Sequence, residues 1–207
     1  RVPAQDAAEA RAALAKVQDF ESSYHAGLHN RRVALYVGES GFGPAVDNLL
    51  ESLMMRGLDL MSYDFDIVGA WDNPGSSYWY APFEDKVVDL YNDGALMTVY
   101  IGHGSETWTQ GLSSADVGRI ACDERRPFSL FFACYAGAYV GAEDSLSEEL
   151  LFKHDASIAS YASSDVSHPF GNAVLAYESQ RIALTMAEPT MGEVIVALER
   201  SLLANDE

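Results

Sequence analysis

The sequence predicts an α/β protein, a three-layer sandwich around a mostly parallel central sheet. Two nearly all-apolar runs, Arg32–Val37 and Phe128–Ala133, read as strands covered on both faces. The segments between strands carry helical periodicity, and strand–helix alternation favours parallel strands joined by crossovers. With 207 residues, 48% hydrophobic and 11% aromatic, the chain suffices for one core, so residues 1–207 are read as a single domain.

The elements follow in order. The Ala-rich start, with Ala8, Ala12, Ala15 and Phe20 at helical spacing, reads as a helix containing Leu14 and Val17 and closed by Gly27 and Asn30. After the strand Arg32–Val37, Gly38–Gly43 turns, and Pro44 opens a helix carrying Val46, Leu49, Leu50, Leu53 and Met54 that stops at Gly57. The second strand is placed at Leu60–Phe65, and Asp72–Ser77 has a loop's composition. Pro82 starts a helix with Phe83, Val87, Val88, Leu90 and Tyr91 on its buried side, ended by Asn92-Asp93-Gly94. The strand Ala95–Ile101 runs straight into Gly102-His103-Gly104-Ser105. A short helix, Ser114–Ile120, precedes the strand Phe128–Ala133, which ends at Cys134. Ser145–Phe152 is a helix and Ala156–Tyr161 a strand. Two helices close the chain, Asn172 to about Leu184 and Met191 to Leu203.

Composition excludes several functions. The net charge is −18, and no basic run exceeds Arg31-Arg32 or Arg125-Arg126. Long-range repulsion therefore argues against nucleic acid as a partner. The longest apolar run, Leu130–Tyr139, is short of the ~20 residues that a membrane span needs. Cys122 and Cys134 are the only cysteines, too few for a disulfide framework or a four-ligand zinc cluster. No GxGxxG or GxxxxGK[ST] follows a strand, so nucleotide binding has no support. The chain opens on Arg1 without a signal-peptide pattern and is read as a segment of a longer protein.

In an open parallel sheet, ligands bind beyond the carboxyl ends of the strands. One predicted strand delivers His103 to that edge and another delivers Cys134. Glycines flank His103, and Ala133, Ala136 and Gly137 leave space around the thiol. A cysteine nucleophile needs a thiolate, which an imidazole can generate, and a developing oxyanion needs backbone N–H donors. These residues predict acyl transfer with Cys134 as nucleophile, His103 as general base and acid, and the N–H groups of Gly104 and Cys134 as oxyanion hole. No cofactor is required. Read one at a time, a cysteine in an apolar strand is usually a small core residue.

The ordered set Val99-Tyr100-Ile101-Gly102-His103-Gly104-Ser105 with Trp108, Phe131-Phe132-Ala133-Cys134-Tyr135-Ala136-Gly137 and Ser145–Leu151 resembles the gingipain family of cysteine peptidases, in the caspase-like clan. Ala159–Ser164, Ser167–Asn172 and the lead-in Ala15-Lys16-Val17 extend the resemblance from about residue 15 to about residue 200. It implies a caspase-like fold and a cysteine endopeptidase with His103 and Cys134 as its dyad and a thioester acyl-enzyme. It also implies a peptide or protein substrate, an extracellular or cell-surface setting, and further domains of the same precursor, including an amino-terminal subdomain. A structural calcium ion belongs to the same expectation, although no DxDxDG loop is present.

Around the dyad, Glu39 follows the first strand and is expected to orient His103. Asp165 follows a strand end, in the loop that lines the specificity pocket of caspase-like peptidases, and an anionic group there would favour Arg or Lys. Asp64, Asp66 and Asp72 are further candidates for that pairing. His168, Ile101, Phe132 and Trp108 are expected along the substrate cleft. Cys122, between acids, is a poor nucleophile. Two alternatives stay open: a catalytically silent regulatory or protein-binding module of the same fold, and an esterase or amidase using the same dyad.

Overall fold

The computed structural model describes residues 2–23, 25–59, 65–141, 143–186 and 190–204. Among these residues five parallel strands form the central sheet: β1 (Arg32–Val37), β2 (Asp66–Trp71), β3 (Met97–Ile101), β7 (Phe128–Phe132) and β8 (Ala159–Ala162). They lie in the order β2-β1-β3-β7-β8. Among the described residues seven α-helices surround it: α1 (Ala7–Ser22), α2 (Pro44–Asp59), α3 (Phe83–Asn92), α4 (Ser114–Val117), α5 (Leu146–Phe152), α6 (Pro169–Thr185) and α7 (Met191–Ala204).

Successive residues of a strand point to opposite faces, so a strand covered on both sides is apolar throughout. Accordingly Val33, Leu35 and Val37 join Leu50, Met54, Val99 and Ala176 in one core layer, beneath α2 and α6. Ala34 and Tyr36 join Val87, Leu90, Phe131 and Leu146 in the other, beneath α3 and α5. The expected three-layer α/β architecture is the one found.

The second strand lies further along than expected. The Leu60–Asp64 part of the expected strand falls outside the described residues, and β2 begins at Asp66. Register explains this: Asp66 pairs with Arg32, and their side chains form an ion pair at 2.8 Å. Gly57 does not stop α2, which continues to Asp59; a glycine inside a helix costs only about 1 kcal/mol. The face of α1 also differs, because Ala8, Ala12, Ala15 and Phe20 are exposed while Ala13 and Lys16 are buried. Lys16 Nζ crosses to the carbonyls of Leu150, Leu151, Lys153 and Ser157 at 2.6–3.2 Å. α1 is thus docked by the Lys16 side chain at the end of α5 rather than by an alanine stripe.

A small antiparallel sheet of β4 (Gly104–Ser105), β5 (Trp108–Thr109) and β6 (Leu112–Ser113) follows His103. No helix of the described residues is long and apolar enough to cross a membrane.

Candidate active site

Pairing of β3 with β7 puts Ile101 opposite Phe132. His103 and Cys134 each stand two residues further on, so the turns bearing imidazole and thiol leave neighbouring strands abreast at the carboxyl edge. Both residues line one recess, together with Ser40, Leu50, Ile101, Gly102, Ser167, Pro169 and Asn172.

Glycines let these two turns approach. A Cβ on Gly104 would lie 2.8 Å from Ala133 Cβ and 2.9 Å from the Cys134 carbonyl, closer than atoms pack, so only glycine brings the two turns this near. Gly41, in the turn after β1, has φ +71°, and a Cβ there would lie 2.6 Å from His103 Nε2. The bare backbone of that turn therefore faces the ring. Tyr100 holds the histidine from below: its hydroxyl donates to the His103 carbonyl at 2.6 Å and accepts from the Gln110 amide at 3.1 Å. Burial raises the Tyr100 hydroxyl well above the usual tyrosine range, which keeps that donor protonated.

The thiol has its own partners. Its Sγ is 3.4 Å from the Ser167 amide nitrogen, 3.7 Å from the Ser167 hydroxyl and 3.5 Å from the Ser167 carbonyl. Asn172 Nδ2 donates to the Ser167 hydroxyl at 2.8 Å. Ser167 can thus accept a hydrogen bond from the thiol on its carbonyl or donate N–H and O–H hydrogen bonds to a thiolate. Pro169 and Asn172, in the first turn of α6, line the same recess, so the positive end of that helix faces the sulfur. Tyr135 follows Cys134 in the left-handed region, φ 58°, which bends the chain sharply beyond the nucleophile. Among the described residues the Cys134 amide has no protein acceptor, as an oxyanion donor requires.

The other sequence candidates are placed as follows. Ile101 lines the recess. Phe132 is buried in the core and meets the Tyr161 ring at 6.3 Å. Trp108 is exposed on the small sheet. His168 caps α6, its Nδ1 accepting from the Phe170 amide at 3.2 Å. Glu39 is exposed, and among the described residues no hydrogen bond joins it to His103. Asp165 is exposed, with Oδ1 accepting from the Val166 amide at 2.7 Å and its carboxylate beside the Tyr135 hydroxyl. Asp66 begins β2 rather than ending it, so it sits at the amino edge, away from the recess, paired with Arg32. Asp64 lies outside the described residues. Asp72 does follow β2 on the carboxyl edge; burial first, then Glu39 and Glu84, raise its carboxyl above the usual range.

Cys122 is fully buried. Burial, followed by the Asp155 charge, pushes its thiol up to about 12, a stronger reason for inertness than its neighbours in sequence. Among the described residues no three His, Cys, Asp or Glu side chains are grouped to hold a metal ion.

Sequence reading missed Ser167, Asn172, Ser40, Leu50, Tyr100 and Gln110. One signal was available: Pro169 after His168 marks a helix start, which brings Ser167 and Asn172 to the carboxyl edge.

The parallel sheet with these two turns defines the class as a three-layer α/β fold that carries a histidine and a cysteine abreast at its carboxyl edge. The chain belongs to peptidase family C25, whose family model matches residues 1–207. No curated protein sequence matches it. Solved structures share its fold, among them two of RgpB. One is a complex of the pro- and mature domains of Porphyromonas gingivalis RgpB, with a TM-score of 0.74 and 17% identity over 97% of this chain and 49% of that one. The other is the Arg-specific cysteine proteinase gingipain R (RgpB), with a TM-score of 0.72 and 17% identity over 96% of this chain and 49% of that one. The chain spans about half the length of these relatives.

Proposed function

We propose that this chain is the dyad-bearing unit of a cysteine endopeptidase. The observation that supports this most is the placing of His103 and Cys134 abreast on β3 and β7, over one shared recess. His103 takes the Cys134 proton, and Sγ attacks the scissile carbonyl carbon. The tetrahedral oxyanion is held by the N–H groups of Gly104 and Cys134. Collapse breaks the C–N bond; the imidazolium protonates the departing amine and leaves a thioester on Cys134. Water, deprotonated by His103, attacks that thioester, and the sulfur departs as thiolate and regains its proton.

Glu39 is on the same edge and serves as the carboxylate that orients His103 once substrate orders the turn, since catalytic hydrogen bonds are often loose in an empty site. Of the aspartates expected to favour Arg or Lys, Asp165 stands beside the Tyr135 side chain, just after the nucleophile, and lies outside the lining of the recess at His103 and Cys134. Further domains of the same precursor complete the peptidase in this reading, as the half-length match to the gingipain structures suggests.

Hydrolysis of denatured casein by the longest precursor form tests the reading. Cys134→Ala should abolish cleavage, and His103→Ala should lower it at least ~100-fold. Cleavage that persists in Cys134→Ala would overturn it. A silent binding module instead predicts no cleavage by any form.

A further inference from the structure

The recess at His103 and Cys134 shares Leu50 and Pro169 with a neighbouring, larger groove between α2 and α6, lined also by Phe42, Val46, Leu49, Leu53, Phe170 and Ala173. We propose that this groove is the specificity subsite of the peptidase and receives an apolar substrate side chain next to the scissile bond. The inference rests on the peptidase reading and names its substrate class.

Continuity comes first. Leu50 and Pro169 line both the recess and the groove, so a peptide whose carbonyl meets Cys134 has a neighbouring side chain beside the groove's mouth. Room comes next, because the recess offers about 40 Å³ and the groove about 210 Å³. Of the two, the groove is the one with room for a large side chain.

Chemistry selects the occupant. His168 is the sole titratable residue of the lining, and its Nδ1 is committed to the Phe170 amide. Neither recess nor groove has a carboxylate in its lining. A guanidinium or ammonium placed there would lose water without gaining a counter-charge, and burying an unpaired charge is heavily unfavourable. An apolar side chain gains by the same transfer. The groove is also open to a ligand: Phe42, Leu49 and Phe170 are 64%, 50% and 65% exposed, a cluster of large apolar groups of the kind that marks a binding surface. It is built on the opening turns of α2 and α6, which pack against each other, so its walls are fixed before a ligand arrives.

The test is a peptide library varied at the positions flanking the cleavage site, with Cys134→Ala as the blank. Leu, Met or Phe should be preferred over Lys, Arg and Asp by about tenfold or more at one of those positions. Leu49→Glu places a carboxylate at the groove's rim. It should erase that preference and raise cleavage beside Lys and Arg, while iodoacetamide labels Cys134 at the wild-type rate. Cys134-dependent cleavage with a basic preference, or an apolar preference unchanged by Leu49→Glu, would overturn the subsite and leave the peptidase standing.

Absence of Cys134-dependent cleavage would overturn the peptidase itself. The subsite is then read from calorimetric binding of blocked pentapeptides to Cys134→Ala. A Leu-centred peptide that binds more tightly than its Lys-centred counterpart and weakens with Leu49→Glu supports the groove; equal binding, or none, overturns it. A dimer that dissociates on Leu49→Glu while the Leu peptide fails to bind would assign the groove to a second copy and overturn the proposal.

Discussion

The Ser167 amide nitrogen lies 3.4 Å from the Cys134 sulfur, and Asn172 orients the Ser167 hydroxyl toward the same atom through a 2.8 Å hydrogen bond. Because Asn172 donates to that oxygen, the hydroxyl hydrogen is left free for the sulfur, 3.7 Å away. Hydrogen bonds to a charged acceptor are worth about 1.5–3 kcal/mol. Ser167→Ala keeps the amide and loses the hydroxyl, so alkylation of Cys134 at neutral pH should slow roughly tenfold. Asn172→Ala should slow it in the same direction, and the double variant should be no slower than Ser167→Ala. Fully additive effects in this cycle would mean that the two residues act separately.

Gly41 and Gly43 both have positive φ, +71° and +91°, but their surroundings differ. A Cβ on Gly41 meets His103 Nε2, whereas one on Gly43 meets nothing within 4 Å. Alanine at either position should cost about 1–2 kcal/mol of stability from backbone strain. Gly41→Ala alone should also displace the imidazole and lower turnover by about 100-fold. Equal turnover in the two variants, measured at matched folded fractions, would separate the ring from that turn.

Stability should depend on pH through Lys16. Burial, followed by the Arg126 charge, lowers its ammonium from the ordinary 10.5 to about 7. Above pH 7 the folded protein has released a proton that the unfolded chain still holds, so unfolding takes one up and stability rises with pH. The rise should be on the order of 1 kcal/mol per pH unit. It should flatten near pH 9, where the unfolded chain begins to ionise Cys122, whose folded thiol stays protonated to about 12. Denaturant titrations from pH 6.5 to 9 should show this slope in the native protein and its loss in Lys16→Met. A slope retained by Lys16→Met would place its origin elsewhere.

Much of this architecture is legible in the sequence because burial on both faces writes a distinctive pattern. Arg32–Val37 and Phe128–Phe132 are apolar at nearly every position, and the two chemical residues follow such strands directly. Where a partner distant in sequence decides, that legibility fails. β2 is set by the Arg32–Asp66 pairing, the face of α1 by Lys16 reaching carbonyls more than a hundred residues away, and the thiol's surroundings by Ser167, 33 positions on. The two-residue strands β4 to β6 are too short to carry any periodicity. Phe132, expected along the cleft, is turned into the core by strand alternation.

The central claim is that His103 and Cys134 act together on an acyl group. Its most direct test is intact-mass analysis with peptide mapping after treatment with a peptidyl chloromethyl ketone bearing Leu next to the reactive group. The account predicts a single adduct, on Cys134, absent from Cys134→Ala and formed at least ~100-fold more slowly in His103→Ala. Modification of Cys122 instead, or a Cys134 rate indifferent to His103→Ala, would contradict it.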